Sequence, residues 1–116
     1  MLTVQEVSAK LEKAQKYFST EVPIAWAPSH TLRNKRISLL AKILRRNIQE
    51  IESSVVFDLE KVVSESQLQF QGKEKSKKPV SRRTISDYLN DLGKYTHLIY
   101  TARRHGQYTT IKPSLD

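Results

Sequence analysis

"VSRRTISDYLNDLGKYTHLIY", residues 80–100, changes its hydrophobic period part-way along. Ser81 is placed to cap a helix, and Ile85, Tyr88, Leu89 and Leu92 then recur at intervals of three and four, the last three within about 60° of Ile85 at about 100° per residue. That face is expected to be buried, and Gly93 is expected to close the helix. Beyond it the period falls to about 2. The run "THLIYTARRHGQYTTIKP" carries two β-rich segments, His97–Ala102 and Gln107–Lys112, around an "RRHGQ" turn in which Gly106 is free to take positive φ. A β-hairpin with a basic tip should therefore follow the helix, with Tyr100 and Tyr108 paired across it.

The opposite face of the same helix carries Arg83, Ser86, Asp87 and Asn90, with Arg82 on the flank. These side chains suit nucleic acid. Arg pairs bidentately with guanine, Asn with adenine, Asp accepts from cytosine, and Ser adapts to several partners. Asp87 repels phosphate, so it either accepts a cytosine amino group or pairs with Arg83 at i, i+4. A merely solvated face is the plain alternative. Against it stands the local charge: Lys73, Lys75, Lys77, Lys78, Arg82 and Arg83 face a single acid between residues 73 and 83, a local +5. Arg103, Arg104 and His105 form a second cluster at the hairpin tip. The lysine-rich loop has its own alternative, a solvated segment that adds only solubility.

Towards the N-terminus, Thr3 and Glu6 form a capping box for a helix with an apolar seam of Val4, Val7, Leu11, Ala14 and Phe18. Pro23 and Pro28 interrupt the chain around Trp26, which reads as a plug on the core. A second helix is expected over about Thr31–Ile51. Ile37, Leu40, Ala41, Leu44, Ile48 and Ile51 make one stripe, Leu39 and Ile43 a second beside it, and Lys35, Lys42, Arg45, Arg46 and Gln49 lie opposite. A helix apolar on more than one side needs several neighbours, so it should be central. Val55, Val56 and Phe57 suit a short strand, Asp58 caps a further helix through Leu59, Val62 and Val63, and Leu68 and Phe70 either continue it or start the loop at 71–80.

At 116 residues the chain is one domain long. Twenty Lys and Arg against twelve Asp and Glu leave a formal charge of +8, which favours a polyanionic partner, either nucleic acid or an acidic membrane surface. Cysteine is absent, which excludes disulfides, thiolate nucleophiles and Cys-based zinc sites. The longest apolar run, Ile24–Ala27, is far short of the roughly 20 residues of a spanning helix, and no signal peptide is visible. A soluble, cytoplasmic protein is expected. His30, His97 and His105 lie in separate segments without HExxH spacing, and Glu50 with Glu52, and Asp58 with Glu60, stand two apart and diverge on a helix. With no phosphate-cradling glycine loop and no nucleophile elbow, neither catalysis nor a metal, cofactor or small-molecule substrate is expected.

The order helix, helix, strand, helix, helix, hairpin resembles the winged helix-turn-helix family of DNA-binding domains over about residues 34–112. The nearest likeness is in residues 80–100, which look like the recognition helix and first wing strand of archaeal and bacterial regulators. The resemblance implies a mostly helical α+β winged helix with a C-terminal β-hairpin wing and an extra N-terminal helix: residues 1–33 as N-terminal helix and connector, 34–112 as the winged-helix domain, 113–116 as a tail. It also implies docking of helix 81–93 in the major groove, with Arg83, Ser86, Asn90 and Asp87 on bases. Ser81, Arg82, Thr84, Lys73, Lys75, Lys77 and Lys78 would meet the backbone, and wing residues 103–107, with Arg103, Arg104 and His105, the backbone or minor groove. The connector Gln71–Val80 is longer than the family's usual turn. The expected function is non-catalytic binding of double-stranded DNA, most simply as a transcriptional regulator, nucleoid-associated in a prokaryote. A DNA-segregation or replication accessory role, an RNA-binding winged helix and a protein-interaction winged helix remain open. Members of the family often dimerise through an added terminal helix, so Val4, Val7, Leu11, Ala14 and Phe18 are either a homodimer face or an internal seam.

Overall fold

Thr3 Oγ1 accepts a hydrogen bond from the Glu6 N–H at 3.1 Å, and from this cap α1 (Val4–Lys16) runs into a single π-helical turn, Tyr17–Glu21. A computed structural model describes residues 2–21, 28–71, 79–101 and 104–114 of the chain. They form an α+β fold in which four helices outweigh a small antiparallel sheet. The seam of α1 lies against α2 in the chain's own core: Val7, Leu11 and Ala14 are fully buried, and Val4 and Phe18 pack at the margin. For Val7, Leu11 and Ala14 the homodimer face is therefore corrected to an internal seam. Surface already removed from water within one chain has nothing left to gain from a second copy.

Helix α2 (Pro28–Asn47) occupies the centre, packed against α1, the π turn, α3, α4 and β2. Ile37, Leu40, Ala41, Ile43 and Leu44 are all fully buried, which two apolar stripes on one helix require. The helix begins at Pro28, a residue preorganised for the first helical position, so the boundary expected at residue 33 falls inside it. It ends at Asn47 rather than Ile51. The Asn47 side-chain amide donates to the Ile43 carbonyl at 2.7 Å and to Glu65 Oε2 at 3.2 Å, and the next residues turn into a strand.

That strand, β1 (Gln49–Ile51), makes a hairpin with β2 (Ser54–Asp58). Its two turn residues, Glu52 and Ser53, have φ of 49° and 64°. Tight hairpin turns of this hand usually carry Asn-Gly, and without that signal the helical spacing of Ile48 and Ile51 prevails in the sequence. Val55 and Phe57 of β2 enter the core. Asp58 Oδ1 then accepts from the Lys61 N–H at 3.2 Å as α3 (Leu59–Gln71) begins, and this helix includes Leu68 and Phe70.

Helix α4 (Arg82–Thr96) starts at the expected cap, with Ser81 Oγ accepting from the Thr84 N–H at 3.1 Å. It does not end at Gly93. The stop comes at His97, whose φ of 58° and ψ of 38° are left-handed and whose N–H returns to the Gly93 carbonyl. Gly93 is needed for space: a Cβ on it would lie 2.4 Å from the Leu98 carbonyl oxygen. The C-terminal segment also differs from one continuous hairpin. β3 (Leu98–Ile99) pairs with β6 (Lys112–Pro113), while β4 (Arg104–His105) pairs with β5 (Tyr108–Thr110) through Gly106 at φ 65°. Residue 113, expected in a tail, is thus part of a strand. β5 pairs on its other side with β2, giving the order β1-β2-β5-β4. Tyr100 and Tyr108 do not face each other. Tyr100 leaves the ladder for the core, where its hydroxyl and that of Thr96 are 2.8 Å apart, and Tyr108 lies opposite His105 and Asp58.

Two expectations follow. Gly→Ala in an ordinary helix interior stabilises by about 0.5–1 kcal/mol, but Gly93→Ala should destabilise by about 1–3 kcal/mol, because the obstacle is backbone; urea titration reads the sign. The Tyr100 phenol is pushed well above its ordinary value by burial, against a smaller opposing effect of the Thr96 hydrogen bond. Its folded-state value exceeds its unfolded one, so its contribution is intact below about pH 10 and lost as pH rises further. Unfolding free energy measured from pH 8 to 11 should fall more steeply above pH 10 (approximately) in wild type than in Tyr100→Phe.

Candidate nucleic-acid interface

The inward side of α4 sets the direction of its outward side. Ile85, Tyr88, Leu89, Leu92, Gly93 and Thr96 are all buried, as the spacing of the apolar residues predicts. Polar contacts hold that rotation. Arg36 of α2 reaches the Tyr88 hydroxyl at 3.4 Å while its guanidinium lies 5.6 Å from the centre of the Phe70 ring, so one side chain ties α2, α3 and α4 together. Gln67 Nε2 donates to the Val80 carbonyl at 2.9 Å and fixes the chain where it enters α4.

With that face buried, Arg83, Asp87 and Asn90 are exposed and Ser86 is half-buried, all on one stripe. None of the four side chains has a hydrogen-bond or ion-pair partner among the described residues, and the Arg83–Asp87 pair considered for i, i+4 is not formed. The flanks are different. Arg82 is ion-paired with Glu60 of α3, and Asp91 with Arg33 of α2. Ser81 and Thr84 are also engaged, their hydroxyls 2.8 Å apart at the cap. Charges beside the stripe are neutralised within the fold; those on it are left open.

Lys94 belongs to the same stripe, four residues beyond Asn90, with its side chain 82% exposed and a long 3.9 Å contact to Asp91. Sequence reading missed it because a helix closed at Gly93 leaves residue 94 in a loop. The i, i+4 continuation from Asn90 was the available signal. From Arg83 to Lys94 the stripe rises about 16 Å along the helix axis.

The remaining residues singled out in the sequence divide into three groups. Arg104 and His105 lie in β4 beside the Gly106 turn. Lys73, Lys75, Lys77, Lys78 and Arg103, together with Trp26, lie outside the described residues. Arg45 and Arg46, on the polar side of α2, pair with Glu12, at 3.9 Å, and with Glu65 respectively. Among the described residues no cluster of His, Asp and Glu is placed to hold a metal ion, and no helix is long and apolar enough to cross a membrane. No family model matches the sequence, and neither a curated protein nor a solved structure is found to be similar to it.

Proposed function

We propose that this chain is a winged helix-turn-helix protein that binds double-stranded DNA without catalysis, and that it acts as a transcriptional regulator by occupying a specific site. The carrying observation is the stripe Arg83, Ser86, Asp87, Asn90 and Lys94, its first four side chains without a partner among the described residues and Lys94 in only a long contact with Asp91, held outward on a helix whose flanking charges are already paired. Its charge order suits a groove. Cations stand at the two ends and an acid near the middle, so Lys94 at the C-terminal end is compatible with phosphate while Arg83 and Asp87 suit base edges. The major groove is about 12 Å wide, and a stripe of about 16 Å spans it. Arg83, Ser86, Asn90 and Asp87 would read bases, and Lys94 would meet the backbone at the C-terminal end.

The fold supports the same docking. Helix α2, strand β2, helices α3 and α4 and a strand pair returning to β2 follow one another as a winged helix requires, with β4–β5 as the wing. Arg104 and His105 on that wing would approach the backbone or minor groove. Duplex is favoured over single-stranded RNA by where the tyrosines go. Tyr88 and Tyr100 are buried, and Tyr17 and Tyr95 stack on each other at 4.4 Å, so these four are not open platforms for unstacked bases.

Fluorescence anisotropy with a mixed-sequence duplex tests the proposal. Micromolar binding at about 50 mM salt is expected, with a log–log salt slope on the order of −4 to −6. On a site selected from random duplex, Arg83→Ala with Asn90→Ala should lose about 10- to 100-fold while mixed-sequence binding changes little. Lys94→Ala should weaken both alike and flatten the slope by about one. Mixed-sequence duplex left unbound at low salt would end this reading.

A further inference from the structure

Arg82 and Arg83 are the first two residues of α4, and no acid shares that first turn. The N-terminal end of a helix disfavours cations, so two arginines there do nothing for helix stability. Arg83 is open. Arg82, its neighbour, is held by Glu60, which stands in the first turn of α3, where the helix N-terminus already favours a carboxylate without help from an arginine. Both side chains of the pair are about half exposed, 48% and 61%, and pairs so exposed contribute little to folding. Asp91 differs: it is only 24% exposed and joins α4 to α2 through Arg33, so it belongs to the packing.

We propose that Glu60 is an affinity-limiting residue, its carboxylate occupying the Arg82 guanidinium that a DNA backbone phosphate would otherwise take. The inference rests on the duplex reading above and adds a competitor to it. A carboxylate and a phosphate offer the same guanidinium the same kind of paired oxygens, so Arg82 can satisfy one or the other. In the free protein the intramolecular carboxylate holds it. A phosphate must displace Glu60, which lowers affinity for every duplex, whatever its sequence, since a phosphate contact carries no base information.

The test is Glu60→Gln, which keeps the shape and removes the charge, measured with a mixed-sequence duplex across a salt series beside wild type, Arg82→Ala and the double variant. Glu60→Gln should bind about two- to fivefold tighter at low salt, with a slope steeper by up to about one. In the Arg82→Ala background the same change should have almost no effect. A gain that persists without Arg82 would show that Glu60 acts through net charge alone and overturn the proposal. Wild-type binding that Glu60→Gln leaves unchanged or weakens would overturn it too while leaving the duplex reading intact. If neither protein binds duplex at low salt, both readings fall together.

Discussion

The burial of α2 on every side but its polar strip is the constraint on which the remaining structure depends. Ile37, Leu40, Ala41, Ile43 and Leu44 are fully buried, and no single neighbour covers so wide an arc. Helix α1 closes one side, α3 and α4 others, and β2 the end, so each of them has one face committed to α2. For α4 that commitment is Ile85, Tyr88, Leu89 and Leu92. Once they are inside, a helix of 3.6 residues per turn has no freedom about where Arg83, Asp87, Asn90 and Lys94 point.

Polar contacts sharpen what apolar packing begins. Arg36 lies against Phe70 and donates to Tyr88, coupling the rotation of α4 to the middle of α2 and the end of α3. At the other end, Thr96 donates to the Leu92 carbonyl at 2.9 Å and meets Tyr100, while Lys10 of α1 reaches the Thr96 carbonyl at 3.3 Å. The helix is therefore held at its middle and at its C-terminal end, which fixes the direction of its outward stripe. Preorganisation of this kind lowers the entropy lost on binding, which favours the proposed contact with duplex.

The distribution of charge carries as much information as its sum. A net +8 is compatible with any polyanion. More discriminating is where the carboxylates stand: Glu12, Glu60, Glu65 and Asp91 each hold an arginine, and all four arginines lie off the α4 stripe. Asp87, the acid on the stripe itself, holds none. An acid left unpaired among exposed polar side chains in a basic protein is costly to phosphate binding unless it meets a donor, which is why the base-edge reading of the stripe is preferred to a purely electrostatic one.

The amphipathic pattern of residues 82–92 was legible because a helix that buries one face must repeat its apolar residues at the helical period, whatever surrounds it. So were the Thr3, Asp58 and Ser81 caps, which need only a short side-chain oxygen and the N–H groups three residues on. The central place of α2 followed from its two apolar stripes. The ends of elements were another matter. Gly93 reads as a stop in sequence, yet it is helical, and glycine is needed there because the Leu98 carbonyl passes where a side chain would be, an approach that exists only once β3 has folded back. The β1–β2 turn carries no glycine or asparagine, so nothing local announces that Glu52 and Ser53 take positive φ; pairing of β1 with β2 and of β2 with β5 imposes it. The placing of Lys94 on the stripe and the capture of Arg82 by Glu60 depended in turn on where α4 ends and how α3 lies beside it. Sequence by itself determined periodicity, caps and charge, which are properties of neighbours along the chain. Tertiary structure alone decided where each helix stops and which charges remain unpaired, because each of these depends on atoms far apart in sequence brought within a few ångströms.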